Sequence, residues 1–176
     1  MTENIKKTVV SSWNEWDPLK HVIVGRADGT QIQAPEPAVQ LDFPDRGFPL
    51  GTFGSLPQEM EDKACELLDN FAVVLENRGI RVDRPAPLDF SQTIQTPDWQ
   101  QGTMFGCMPP RDVLLTVGDE ILEAPMSFRS RWFEDLCYRP LLEQYYKEDT
   151  NFRWETAPKP RLTGRTYKAD FWQKWN

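Results

Sequence analysis

The stretch "RDVLLTVGDEILEAPMSFRSRWFEDLCYRPLLEQYYKEDTNFRWET" (111–156) changes character partway along. Residues 111–125 read as two strands joined at Gly118-Asp119, a glycine-first dipeptide suited to a two-residue hairpin turn. From 127 to 149, Phe128, Trp132, Phe133, Leu136, Leu141, Leu142 and Tyr145 recur at helical spacing and predict an inward face. Pro140 must bend or divide that helix, because proline lacks a backbone donor and clashes with the preceding turn. "FRWET" (152–156) reads as a closing strand. The order is therefore strand, strand, helix, strand.

Towards the N-terminus the same order recurs more loosely. "HVIVG" (21–25) is a β-branched run ending in glycine, hence a buried strand, and Asp28-Gly29 marks a turn. Residues 31–56 are rich in proline and glycine with little periodicity and read as a long irregular loop, a kind of segment that often carries function. Ser55 and Gln58 have capping-box spacing and Pro57 falls in a first turn. Met60, Ala64, Leu67, Leu68, Phe71 and Leu75 then predict a helix face, with the helix ending at Gly79. "IRVDRP" (80–85) reads as a strand stopped by proline. Repeated strand and helix order without evident sequence repetition fits a modular α/β architecture, and equally a plain mixed sheet.

Composition bounds the rest. The chain has 176 residues, 39% of them hydrophobic and 12% aromatic, with seven tryptophans; this is enough for one folded unit with a core. A net charge of −7 argues against a phosphate-tracking surface, so no nucleic-acid partner is expected. "MTENIKKTVV" has no apolar stretch of signal-peptide length, and no run approaches a membrane span. The expectation is a soluble cytoplasmic protein with no membrane partner. Cys65, Cys107 and Cys137 are an odd number without C-x-x-C spacing, and His21 is the single histidine. These suit a reducing compartment, and neither a zinc site nor any other metal is expected.

Four stretches in order carry a family signature: "SSWNEWDPLKHVIVGRADG" (11–29), "TPDWQ" (96–100), "PRDVLLTVGDEILEAPMSFRSRWFE" (110–134) and "APKP" (157–160). Together they resemble the N-terminal part of the glycine amidinotransferase family, from about Val10 to the chain's last residues. The resemblance implies a pentein, an α/β propeller of five ββαβ modules, of which residues 1–176 would form the N-terminal portion of a single domain, about two modules. It also implies the activity: the amidino group of L-arginine passes to a cysteine thiolate, ornithine leaves, and an acceptor amine such as glycine takes the group. Such chemistry needs a nucleophile, a proton-transfer histidine, and carboxylates that hold a planar cation through paired hydrogen bonds. No cofactor is implied. The partners are L-arginine and the acceptor amine, and the resemblance leaves room for a homodimer of the complete enzyme.

The family's catalytic Asp, His and Cys are expected beyond Asn176, so no catalytic residue is assigned here and the chain alone is expected to be inactive. Asp98 aligns with the family aspartate that contacts arginine and is the one substrate-binding residue expected. Read locally, Asp98 is also an ordinary turn residue after Pro97. Trp99 reads as a pocket wall or a packed aromatic, His21 as a surface or edge histidine, Cys107 as a small buried thiol, and Cys65 and Cys137 as core. Arg111 and Asp112 are expected to brace the hairpin, and Arg129, Arg131 and Glu134 to pair along a helix. Two other functions remain open: a truncated pentein acting as a non-catalytic binding module, and a hydrolase of the arginine deiminase type.

Overall fold

The "HVIVG" run becomes β1 (His21–Ile23) in the computed structural model, which describes residues 8–42 and 52–167. Gly25 follows it because nothing larger fits: a Cβ there would lie 1.8 Å from the Met108 carbonyl oxygen. The chain turns at Asp28-Gly29, with Gly29 at φ 71°, into β2 (Gln31–Ile32).

The irregular loop expected over 31–56 holds more order than its composition suggests. It contains β2, then α1 (Pro37–Asp42), then β3 (Gly54–Ser55), which pairs antiparallel with β2 so that Gln31 faces Ser55. Two-residue strands joined across some twenty residues leave no local periodicity, so the sequence pattern does not announce them. Residues 43–51 of that expectation lie outside the described residues.

Next comes α2 (Gln58–Glu76). The capping box is not made: Ser55 belongs to β3, and Pro57 occupies the N-cap without a side-chain hydrogen bond. The inward face is also turned from the one expected. Ala72 is buried and Ala64, Cys65, Leu68 and Leu75 are half-buried, whereas Met60, Leu67 and Phe71 are exposed. A 3.6-residue period reveals an apolar stripe but not how much of it finds a partner. Gly79, at φ 75°, ends the helix region as expected, and β4 (Arg81–Asp83) runs parallel to β1.

A small hairpin follows, β5 (Ile94–Gln95) against β6 (Gln100–Gln101). Residues 110–113 then form a helical turn, α3 (Pro110–Val113), rather than the start of a strand; proline is preorganised for the first helical position. The hairpin itself is as read: β7 (Leu114–Val117) and β8 (Glu120–Glu123) are antiparallel around Gly118, at φ 60°. Gly118 has a second task, exchanging two backbone hydrogen bonds with Ser12 (2.8 and 2.7 Å) beneath the Trp13 ring.

Pro140 divides the segment that follows. Two short 3-10 turns, Arg129–Arg131 and Glu134–Cys137, precede α4 (Arg139–Glu148), whose first turn contains the proline. The closing strand β9 (Arg153–Thr156) lies parallel to β8, with Ile121 opposite Trp154. The chain is thus mixed α/β, and its second half has the strand, strand, helix, strand order.

The core forms where α4 and the 3-10 turns cover this sheet: Phe90, Cys107, Val113, Ile121, Cys137, Tyr138, Leu142 and Tyr145 form one cluster. Several buried charges are paired. Glu123 accepts from Arg139 at 3.0 and 3.1 Å, and Arg131 forks onto Glu134 while also reaching Asp112 at 2.8 Å. Arg131–Glu134 is the expected i, i+3 pair, and Asp112 braces the hairpin start through Arg131. Arg129 does not join that pair. His21 is half-buried at the start of β1, in a two-stranded pair, as its edge reading expects, its Nε2 lying 2.8 Å from Asp83 Oδ2 and its ring edge-on to Tyr145. It ties β1 to β4 and α4.

Candidate functional site

Asp98 sits in the four-residue connection between β5 and β6. The turn there is closed without its carboxylate: Thr96 N–H donates to the Trp99 carbonyl at 2.9 Å, and Asp98 N–H donates to Thr96 Oγ1 at 3.3 Å. The carboxylate instead receives a guanidinium. Arg161 Nε donates to Oδ2 at 2.8 Å, and its Nη2 donates to Oδ1, a parallel two-bond fork. This arrangement matches a planar cation to a carboxylate. The hydrogen bonds from Arg161 hold the Asp98 carboxyl below the usual carboxylate range. Asp98 thus lies in a turn, and its carboxylate pairs with a guanidinium of the same chain.

The residue after Asp98 belongs to an aromatic and cationic cluster. Trp99 is buried, its indole N–H donates to the Arg161 carbonyl at 3.0 Å, and its ring meets Trp132 edge-on at 5.6 Å. Arg129 lies over the Trp99 ring at 5.6 Å and gives both Nε and Nη2 to the Leu162 carbonyl, at 3.1 and 2.8 Å. Trp99 is thus a packed aromatic.

Two side chains that the sequence reading passed over organise this neighbourhood. Glu36, buried in the supposed loop before α1, accepts from Arg129 N–H at 2.5 Å, Ser130 N–H at 3.1 Å and Ser130 Oγ at 2.6 Å. A carboxylate receiving two adjacent backbone donors fixes where Arg129 begins its reach. Lys159, in "APKP", donates to the Trp132 carbonyl at 2.7 Å and to Asp135 at 2.6 Å, pinning the chain after β9. "APKP" belongs to the family signature, whereas nothing local marks Glu36 or Arg161 in the sequence.

The segment 157–167 forms a strap beside Asp98. Ala157 N–H donates to the Glu123 carbonyl at 3.0 Å, Leu162 is fully buried at φ 49°, and Tyr167 Oη donates to the Ser127 carbonyl at 2.8 Å.

Cys107 and Cys137 are fully buried in the core, where Cys107 Sγ donates to the Arg26 carbonyl at 3.6 Å. The hydrogen bond to Cys107 and burial both push the Cys137 thiol up. Cys65 lies on α2, and burial raises its thiol as well. A raised thiol is a poor nucleophile because the thiolate is the reactive form. Among the described residues no group of three or more His, Cys, Asp or Glu is arranged to hold a metal ion.

No protein-family model matches the chain. Individual relatives do. The chain is 38% identical over 165 residues to the mitochondrial glycine amidinotransferase of Danio rerio, covering 92% of this chain and 38% of that one. It is 38% identical over 171 residues to the L-arginine:L-lysine amidinotransferase of Pseudomonas savastanoi pv. phaseolicola, covering 96% and 46%. Its fold superposes with a TM-score of 0.84 and 40% identity on SxtG, an amidinotransferase of the saxitoxin biosynthetic pathway from Microseira wollei, covering 92% and 47%. The chain therefore spans less than half the length of these relatives. With this identity and this superposition along nearly all of its own length, the chain is homologous to part of these amidinotransferases.

Proposed function

We propose that this chain supplies the guanidinium-holding carboxylate of an enzyme that moves the amidino group of L-arginine to an acceptor amine. The carrying observation is the pair of hydrogen bonds that Asp98 accepts from a guanidinium, on a loop whose turn does not need that carboxylate. In the reaction a cysteine thiolate adds to the guanidinium carbon, the bond to the ornithine nitrogen breaks with proton transfer to it, and the acceptor amine then displaces the thiolate. The nucleophile, histidine and aspartate of that sequence lie outside these 176 residues. The burial of Cys107 and Cys137 supports this assignment. The chain then accounts for about two modules of a five-module ring, a reading consistent with the strand, strand, helix, strand order of its second half. Glycine and lysine both occur in the names of its relatives, and the acceptor proposed is an amine.

Two measurements test this. Calorimetric titration of the 176-residue chain with L-arginine should show binding that D98N abolishes. The complete reading frame containing this sequence should release ornithine from L-arginine when an acceptor amine is present, and the 176 residues alone should release none. Release of citrulline instead would identify a hydrolase, and arginine binding unchanged by D98N would remove Asp98 from the site.

A further inference from the structure

The cation on Asp98 belongs to the chain itself. Arg161 lies in the strap over 157–167, and its side chain is 77% exposed while that of Asp98 is 16% exposed. The strap is held by other groups. Its anchors are the buried Leu162 side chain, the Leu162 carbonyl under Arg129, the Arg161 carbonyl under the Trp99 indole, and Lys159 on Asp135. The Arg161 guanidinium can therefore leave the carboxylate without moving the backbone that carries it. An ion pair with one partner this exposed contributes little to stability, because water and salt compete for it.

We infer that Arg161 is an internal pseudo-ligand: its guanidinium fills the Asp98 carboxylate until an external guanidino compound displaces it. The inference rests on the reading of Asp98 as a guanidinium site and adds a built-in competitor to it. Competition of this kind lowers apparent affinity in proportion to the fraction of chains whose carboxylate is free. Any ligand bearing a guanidinium would meet this competitor, and a ligand lacking one would not engage the carboxylate in the same two-bond geometry.

The test is titration of the 176-residue chain with methylguanidinium and with L-arginine, for wild type, R161Q, R161K and D98N. R161Q keeps the backbone carbonyl that Trp99 uses and removes the charged fork, so both probes should bind up to about fivefold more tightly than to wild type. R161K, a compact cation without the fork, should fall between the two. D98N should bind neither probe. Equal affinity of wild type, R161Q and R161K, with binding still lost in D98N, would overturn the internal occupant and leave the Asp98 site standing. Binding by none of the four would overturn the site itself. Should R161Q fail to fold, R161K alone decides the matter, through tightening against no change.

Discussion

At the residue scale, Asp98 shows how a short motif and a distant partner divide the information. "TPDWQ" places a carboxylate after a stiff proline, and the structure shows that Thr96, not Asp98, closes the turn. The chemical state of Asp98 then depends on Arg161, 63 residues away in sequence. Removing that fork should let the carboxyl rise back towards its ordinary value, since hydrogen bonds from Arg161 are the main cause of its lowering. NMR titration of the Asp98 carboxyl carbon should show a higher midpoint in R161Q than in wild type; an unchanged midpoint would mean the fork is not populated in solution. Arg161 has no local mark in the sequence, because an exposed arginine after a Pro-Lys-Pro run looks like any solvated charge.

At the element scale, β1, β4 and α4 are joined by a polar knot rather than by apolar contact alone. Tyr145 Oη donates to Asp83 at 2.6 Å and lies 3.2 Å from His21 Nε2, while Arg81 also pairs with Asp83 at 2.9 Å. Burial pushes the Asp83 carboxyl up, but hydrogen bonds from Tyr145, Arg81 and His21 together outweigh it, and the net shift is downward. A carboxyl lowered in the folded state contributes stability that is present above its unfolded value of about 3.9 and is lost as pH falls through the folded value. Y145F removes one of these donors and should cost about 1 to 2 kcal/mol at neutral pH in urea unfolding. Its acid unfolding should begin at higher pH than that of wild type. A variant as stable as wild type at both pH values would show that the knot contributes nothing.

At the scale of the whole molecule, the apolar surface left uncovered is the main feature. Met60, Leu67, Phe71 and Val74 form a stripe along α2, all 46–57% exposed, and Trp13 and Trp16 are 74% and 83% exposed. Contiguous apolar surface of this kind drives association in water. The 176-residue chain should therefore self-associate with rising concentration in sedimentation velocity runs, and L67E combined with F71K should weaken that association without lowering the unfolding midpoint. A single monomeric species at every concentration, with cooperative melting, would count against an uncovered face.

The sequence by itself determined the β7–β8 hairpin and β9, the division of the helical segment at Pro140, the Gly118 turn, the helix ending near Gly79 and the family resemblance. All but the resemblance, which rests on four separate stretches, depend on residues within one or two turns of one another, where periodicity, proline geometry and glycine's positive φ act directly. Only the tertiary structure decided which face of α2 is covered, that Ser55 is a strand residue instead of a cap, that 31–56 contains a paired β2 and β3, and that Glu36, Arg129 and Arg161 gather around Trp99 and Asp98. Those outcomes depend on groups brought together from about 20 to 93 residues apart in sequence. Burial and charge pairing at such separations belong to the folded packing, and no local pattern encodes them.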